Sequence, residues 1–160
     1  MFTSPNYLPS DSRIWIYQAN RELKAEEVNK ISLLAQDFIN SWTAHNQELK
    51  GSFEIRHHIF LILMIDEKHA SASGCSIDKS IHFVQKIEKD FSISLLDRQI
   101  FALREKDKIN LVKRKEFEAM IKSGEITEDT IVFNNLIQSK GDLQTNWEIP
   151  VRESWHGAIR

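Results

Sequence analysis

The sequence predicts an α+β fold in which strands and helices follow the order β-α-β-β-α-β over residues 13–105. Two stretches of apolar residues recur at the spacing of an amphipathic helix. Each follows segments rich in β-branched and aromatic residues, which is the composition of strands. A predicted strand pair comes after the second helix, and no internal repeat competes with this organisation.

The first half of this core contains a strand, a helix and two further strands. "RIWIYQA" (13–19) predicts a strand that is apolar on both faces, and "KAEEVNKISLLAQDFINSW" (24–42) predicts a helix. "GSFEIRHH" (51–58) alternates apolar and polar residues, as a half-buried strand near a sheet edge does. "IFLILMIDE" (59–67) is apolar at every position through Ile65 and therefore predicts a central strand.

The second half begins with the turn "ASASGCSIDKS" (70–80) and a second helical stripe that runs to Phe91. "DRQIFALREKDKINLVKR" (97–114) predicts a hairpin with its turn near 105–108, and its first strand closes the core. The resulting order is that of a ferredoxin-like βαββαβ core, with two helices on one face of the sheet.

The other face of the predicted sheet is strongly apolar, because we expect it to carry Trp15, Tyr17 and Phe60. Such a face does not normally remain in contact with water. We therefore expect it to be covered by the end of the chain or by a second subunit, as in a homodimer.

The remaining residues flank this core. Residues 1–12 predict an irregular lead-in, and residues 106–160 a β-rich extension that packs on or beside the core. "KEFEAMIKSGEI" predicts a short helix with Gly124 as a left-handed C-cap, and "DTIVFNNLI" predicts a strand. The tail from residue 145 has no assignable pattern.

Composition restricts the function classes. The 160 residues include 21 basic and 23 acidic side chains, so no strong field favours nucleic acid or an anionic membrane. A single cysteine cannot form an internal disulfide, which predicts a reducing cytoplasm. The N-terminus lacks the pattern of a signal peptide, and no apolar run is long enough to span a bilayer.

Five blocks, "RIWIYQANREL", "WTAHNQELKGSF", "ASGCSID", "ITEDTIVFNNLI" and "NWEIPVRESW", resemble an uncharacterised bacterial family found mainly in the Bacteroidota. Its members are often labelled "ABC transporter ATPase". The resemblance implies a small cytoplasmic bacterial protein and supplies no catalytic residues. A P-loop aligned on Lys79 and Ser80 would place Ser73 and Asp78 where glycines are required, so the sequence argues against ATPase activity.

A second, local resemblance covers residues 117–150. "FEAMIKSGEITEDTIVFNN", with Trp147 and Pro150, is similar to the helix-and-strand part of GYF-like peptide-binding domains. That resemblance implies a surface for extended or proline-containing peptides that uses Phe133 and Trp147. The alternative is a helix–strand unit that packs on the open face of the sheet.

The turn at 71–78 is the first candidate site. Ser71, Ser73, Gly74, Cys75 and Ser76 offer hydroxyls and amides at a helix start, which is an anion-binding arrangement. The alternative is simple capping, with Ser76 as the N-cap. A thiol at a helix N-terminus can also be nucleophilic, which makes Cys75 a candidate catalytic residue.

Other chemistry has less support in the sequence. His45 with Asp66 is the alternative catalytic pair, acting with or without Cys75 on a phosphorylated or acyl substrate. His57 and His58 point to opposite faces of a strand, and no metal motif or cofactor motif is present. RNA could stack on exposed aromatics of the sheet, but the RNP1 pattern is missing.

The sequence thus favours a cytoplasmic, non-catalytic binding protein over an enzyme. Its expected partner is a protein segment or a small anionic ligand. We expect the anion near the 71–78 turn with Trp42, His45 and Asp66, and a protein segment on Phe133, Trp147 and Trp155.

Overall fold

The structure, a computed structural model, describes residues 1–160. It contains four α-helices and three sheets, which confirms the α+β class. The chain divides into two compact units. The first unit comprises Met1–Leu96 and Gln138–Gly141, and the second comprises Asp97–Ile137 and Asp142–Arg160.

The first unit follows the predicted order closely. After a 3-10 turn at Pro5–Tyr7, its elements are β1 (Arg13–Gln18), α1 (Ala25–Ser41), β2 (Thr43–Ala44), β3 (Gln47–Glu48), β4 (Gly51–Arg56), β5 (Phe60–Ile65) and α2 (Gly74–Phe91). The β2–β3 pair is a small separate ribbon. Both long helices form where the apolar spacing predicts them, within two residues at the ends of α1.

The main sheet of this unit has the strand order β1-β5-β4, and all its pairs are antiparallel. As predicted, β5 is central and β4 lies at an edge. The strand predicted to complete a ferredoxin-like sheet, at residues 100–105, belongs to a different sheet. The residues beside β1 are instead 138 and 139: the Ile14 N–H donates to the Gln138 carbonyl at 3.0 Å, and Arg13 bridges Ser139.

The faces of this sheet correct one further expectation. Trp15 is paired with Leu63 and Tyr17 with Leu61, and these side chains pack in the core formed with α1 and α2. Because side chains alternate along a strand, Phe60 lies on the opposite face from them. Phe60 is fully buried within the chain, so no second subunit is needed to cover it and these three aromatics form no exposed platform for RNA bases.

The second unit holds a four-stranded antiparallel sheet of order β7-β6-β8-β9. Its elements are β6 (Ile100–Glu105), β7 (Lys108–Lys113), α3 (Arg114–Ser123), β8 (Ile131–Phe133), α4 (Asp142–Thr145) and β9 (Glu148–Pro150). The hairpin turn at Lys106 and the left-handed Gly124 at the end of α3 (φ 82°) confirm the predictions there. The tail, which had no predicted pattern, supplies β9 and two 3-10 turns, Val151–Glu153 and Trp155–Ala158.

The core of the second unit lies between its sheet and α3. Phe101 of β6 packs edge-on against Phe117 of α3, with ring centroids 5.2 Å apart. Val132, Val151 and Ile159 complete this cluster, so the last residues of the chain return to it. None of the helices of either unit has the length and apolar content needed to cross a membrane.

Candidate functional site

The turn before α2 is organised by a reciprocal pair of serines. The Ser76 N–H donates to Ser73 Oγ at 3.1 Å, and the Ser73 N–H donates to Ser76 Oγ at 2.7 Å. Ser73 is therefore the N-cap of α2, and the expectation that Ser76 fills this position is wrong. The helix therefore begins at Gly74. The amide of its third residue, Ser76, donates to the hydroxyl of Ser73, which is the usual hydrogen bond of an N-cap.

This capping uses most of the groups expected to bind an anion. Both Ser73 and Ser76 hydroxyls are engaged, and Ser76 is fully buried. The Ala72 N–H already donates to a carboxylate oxygen of Glu67 at 3.0 Å. The exposed residues Gly74 and Cys75 can still offer their backbone amides. The arrangement explains how α2 starts without invoking a ligand.

A buried tryptophan at the end of α1 forms a hydrogen bond to this turn. The Trp42 Nε1–H donates to the Ser76 carbonyl at 2.8 Å, and Trp42 is 1% exposed. Its ring packs on Phe38 with centroids 5.0 Å apart and on Trp15 at 6.0 Å. Trp42 therefore has a structural role and does not line an accessible pocket.

The candidate catalytic residues are not brought together. Cys75 is an exposed free thiol in the first turn of α2, and its Sγ has no hydrogen-bond partner. His45 lies exposed in the β2–β3 turn with φ 50°. Asp66 is 8% exposed, and its Oδ1 accepts from the Lys68 N–H at 3.1 Å. No hydrogen bond joins any two of the three, so no nucleophile is paired with a base.

Metal-binding side chains do not converge either. No group of three or more His, Cys, Asp or Glu side chains in the chain is placed to hold a metal ion. The His57–His58 turn has both residues at positive φ, and His58 Nδ1 lies 3.2 Å from the Leu23 carbonyl oxygen. These histidines shape a hairpin turn between β4 and β5.

Two of the three aromatic residues predicted to bind a partner are inside the protein. Phe133 and Trp147 are each 1% exposed, and their rings meet edge-to-face at 5.1 Å. The Trp147 Nε1–H donates to Asn135 Oδ1 at 2.9 Å, which satisfies its only polar group. The prediction that Phe133 and Trp147 contact a partner is therefore corrected, because both serve as packing residues.

Trp155 is the predicted partner-binding residue that stays at the surface, with 39% exposure. Its ring stacks on that of His156 with centroids 3.9 Å apart, and it forms a T-shaped pair with Phe101 at 5.3 Å. Ser154 Oγ lies 2.6 Å from His156 Nδ1 and fixes that imidazole. Trp155 is thus an exposed aromatic ring that packs on a buried imidazole and on Phe101.

His156 is a feature that sequence reasoning missed. It is 1% exposed and lies against Phe101 and Phe117 as well as Trp155. Burial lowers the pKa of His156 to about 4, so the imidazole is neutral at pH 7. The tail has no periodic pattern from which the burial of a histidine could be predicted. The neighbouring Trp155 was the one residue there that indicated an aromatic cluster.

Comparison of the chain with protein-family models, with curated proteins and with solved structures finds no match. The resemblance to the bacterial family and the local resemblance to GYF-like domains therefore stay predictions.

Proposed function

We propose that this chain is a non-catalytic binding module of the cytoplasm that holds an extended segment of another protein, with Trp155 as its anchor. The supporting observation is the pinned, exposed Trp155 ring, stacked on a buried neutral imidazole. Tryptophan dominates binding energy at protein interfaces, and a ring that is already fixed loses little entropy on binding. A proline or another apolar side chain is the natural counterpart of its exposed part.

The alternatives have weaker support. An enzyme using Cys75, or His45 with Asp66, needs a base within hydrogen-bonding reach of the nucleophile, and none is there. An anion at residues 71–78 would have to compete with the capping serines and with Glu67. The sequence contains no P-loop that would support the ATPase label of the family it resembles.

We also infer that the first unit is a three-stranded variant of the ferredoxin-like arrangement. The order β1-β5-β4, with α1 linking β1 to β4, agrees with three strands of that topology. The return segment 138–141 takes the position next to β1 where a fourth strand would lie. This inference concerns architecture alone, since fold does not fix function.

Peptide selection tests the proposed function. A displayed library of extended peptides, enriched in proline and apolar residues, is selected on the wild-type protein, and binding of the enriched peptides is measured by fluorescence anisotropy. Trp155→Ala is expected to weaken binding by about 30-fold, the effect of losing an interfacial tryptophan. Tyr7→Ala, which removes a 75% exposed aromatic ring from the first unit, is the matched control and should leave binding unchanged.

Two outcomes would contradict the proposal. One is a selection that enriches no peptide above background. The other is a set of enriched peptides that bind Trp155→Ala as tightly as wild type, with circular dichroism showing that the variant is folded.

A further inference from the structure

The two edges of the sheet in the second unit end in different ways. In β9, the Trp147 carbonyl and the Val151 N–H bond to residues that flank β8, so Pro150 directs its backbone outward, where it has no N–H to offer. Proline at such a position blunts an edge against further pairing. The other edge is β7, which contains no proline and has β6 on one side only. The sheet is therefore blunted at one edge and open at the other.

The register of the hairpin identifies the backbone groups that β7 presents. In antiparallel pairs, successive residues direct their N–H and C=O groups alternately toward and away from the partner strand. The Arg114 N–H donates to the Gln99 carbonyl at 2.9 Å, so the even-numbered residues along β7 face β6. Ile109 and Leu111 therefore direct their N–H and C=O groups away from β6, and these groups have no partner in the chain.

The side chains beside these backbone groups are apolar. Val112 lies in the core, so Ile109 and Leu111 lie on the other face of the sheet, where both are half-buried. Lysines commonly guard an edge strand against pairing, but Lys108 and Lys113 stand only at the two ends of β7. The middle of the edge thus combines unpaired backbone groups with apolar side chains that a further strand would cover.

The two ends of β7 carry charges of both signs. At the hairpin end, Glu105 and Asp107 are exposed acidic residues, and at the α3 end Lys113 and Lys115 are exposed basic residues. None of these four side chains forms an ion pair within the chain. A strand that runs antiparallel to β7 and has the same sequence would bring the acidic end of each strand to the basic end of the other.

We propose that β7 pairs with β7 of a second copy of the chain about a twofold axis at Asn110, which joins the two sheets into one. The Ile109 N–H then donates to the Leu111 carbonyl of the second copy, whose Leu111 N–H donates to the Ile109 carbonyl, and the axis repeats both bonds. In the same register Ile109 packs on Leu111 of the second copy, and Asp107 lies opposite Lys113. This inference is independent of the proposed function.

The remaining charges at the edge are compatible with this register. Lys106 of one copy comes to the first turn of α3 in the other, where Arg114 is already paired with Glu118 at 3.1 Å and Glu116 supplies a carboxylate. Lys108 lies opposite the apolar Val112. A foreign segment of uniform charge would meet side chains of its own sign at one end of the edge or the other, whereas a second copy matches both ends.

Sedimentation equilibrium of the full chain measures the association. One added strand buries less area than most stable interfaces do, so we expect a dissociation constant of about 10 μM. Hydrogen exchange recorded by NMR locates the interface. The Ile109 and Leu111 amides should exchange at least about tenfold more slowly at concentrations where most of the chain is dimeric than at concentrations where it is monomeric.

Two charge reversals test the register. Asp107→Lys places a lysine opposite Lys113, and Lys113→Asp places an aspartate opposite Asp107. Each variant alone should raise the dissociation constant about tenfold, the effect of exchanging exposed ion pairs for like charges. An equimolar mixture of the two variants should associate as wild type does, because every lysine meets an aspartate in the mixed dimer. Lys30→Glu, a reversal at an exposed position of α1, is the matched control and should leave association unchanged.

The inference is overturned if the chain stays monomeric up to about 1 mM, a hundredfold above the expected dissociation constant. It is also overturned if the mixture associates no better than the separate variants, or if a dimer forms while the Ile109 and Leu111 amides stay unprotected. A selected peptide that protects these amides in a monomeric chain would overturn it as well. The proposed function is judged separately, by peptide binding to Trp155→Ala, so failure of the dimer leaves it standing.

Discussion

Acidification is expected to destabilise the second unit through His156. This imidazole is 1% exposed and packs against the rings of Phe101, Phe117 and Trp155. Burial lowers its pKa from 6.5 to about 4, because desolvation disfavours the imidazolium. In the unfolded chain the same side chain takes up its proton near pH 6.5, so between these two values the unfolded state binds more protons.

The size and sign of the effect follow from linkage. The contribution of neutral His156 to stability is complete above pH 6.5 and is lost as the pH falls toward 4. Each unit of pH in this window corresponds to about 1.4 kcal/mol of unfolding free energy. The expected loss is therefore about 2 kcal/mol at pH 5 and about 3 kcal/mol below pH 4, where the folded state also binds the proton.

Guanidinium denaturation at about pH 7.5 and pH 5 measures this loss. His156→Phe keeps a ring in the site but cannot titrate, so we expect it to lose about 2 kcal/mol less than wild type between the two pH values. His82→Gln, at an exposed position on α2, is the control and should follow wild type. Equal losses for wild type and His156→Phe would refute the reasoning, as would an NMR titration that places the pKa of His156 near 6.5.

Three further predictions concern helix ends. Ser73→Ala should lower the free energy of unfolding by about 1 kcal/mol in denaturant titrations, because it removes the N-cap of α2. The same change at the exposed Ser71 should have no effect. Equal effects of the two changes would show that the cap is not formed. Gly124→Ala should cost about 1 kcal/mol because its φ is 82°, while Gly74→Ala, which meets open space in a helix, should be neutral or stabilising by the same measurement. Glu27→Gln should lower the melting temperature at pH 7, because hydrogen bonds from Arg21 lower the pKa of Glu27 to about 2. The stabilisation by the ionised Glu27 is present above pH 4.5 and is lost as the pH falls toward 2. An equal effect of the substitution at pH 2 would therefore contradict this prediction.

The long elements could be predicted because their signals are local. The helix predicted at 24–42 is observed at Ala25–Ser41, since its apolar side chains recur on one face and bury together. The apolar run at 59–65 is a central strand because it is buried on both faces. The hairpin of β6 and β7 also follows from sequence neighbours that meet through a tight turn.

The partners that β6 and β1 find far along the chain could not be predicted, because such pairing is set by contacts between distant residues. Residues 100–105 pair with β7 and with β8, whereas the segment at 138 and 139 lies beside β1. Nothing in the local pattern distinguishes these outcomes. The short elements of the tail have too few residues for any period to show.

The candidate site was predicted only in part, for a similar reason. Aromatic residue type indicated that Phe133, Trp147 and Trp155 matter, but it cannot tell an exposed ring from a buried one. Phe133 and Trp147 are buried, and Trp155 is exposed because it lies on a 3-10 turn whose next residue takes the interior position. The serine-rich turn before α2 was located correctly, but its hydroxyls bond to their own helix end.

The return segment at 138–141 has a consequence for the order in which the protein folds. Lys140 donates from Nζ to the carbonyls of Pro5 and Leu8, and the Gly141 N–H donates to the Ser10 carbonyl. The segment from Pro5 to Ser10 therefore meets these partners only after residue 141 has left the ribosome, whereas Met1 and Thr3 bond to Gly51, which is synthesised much earlier. A nascent chain ending at residue 96 would have both long helices but an unfinished sheet edge at β1, so the first unit can be completed only after residues 138–141, which interrupt the second unit in the sequence, have been synthesised.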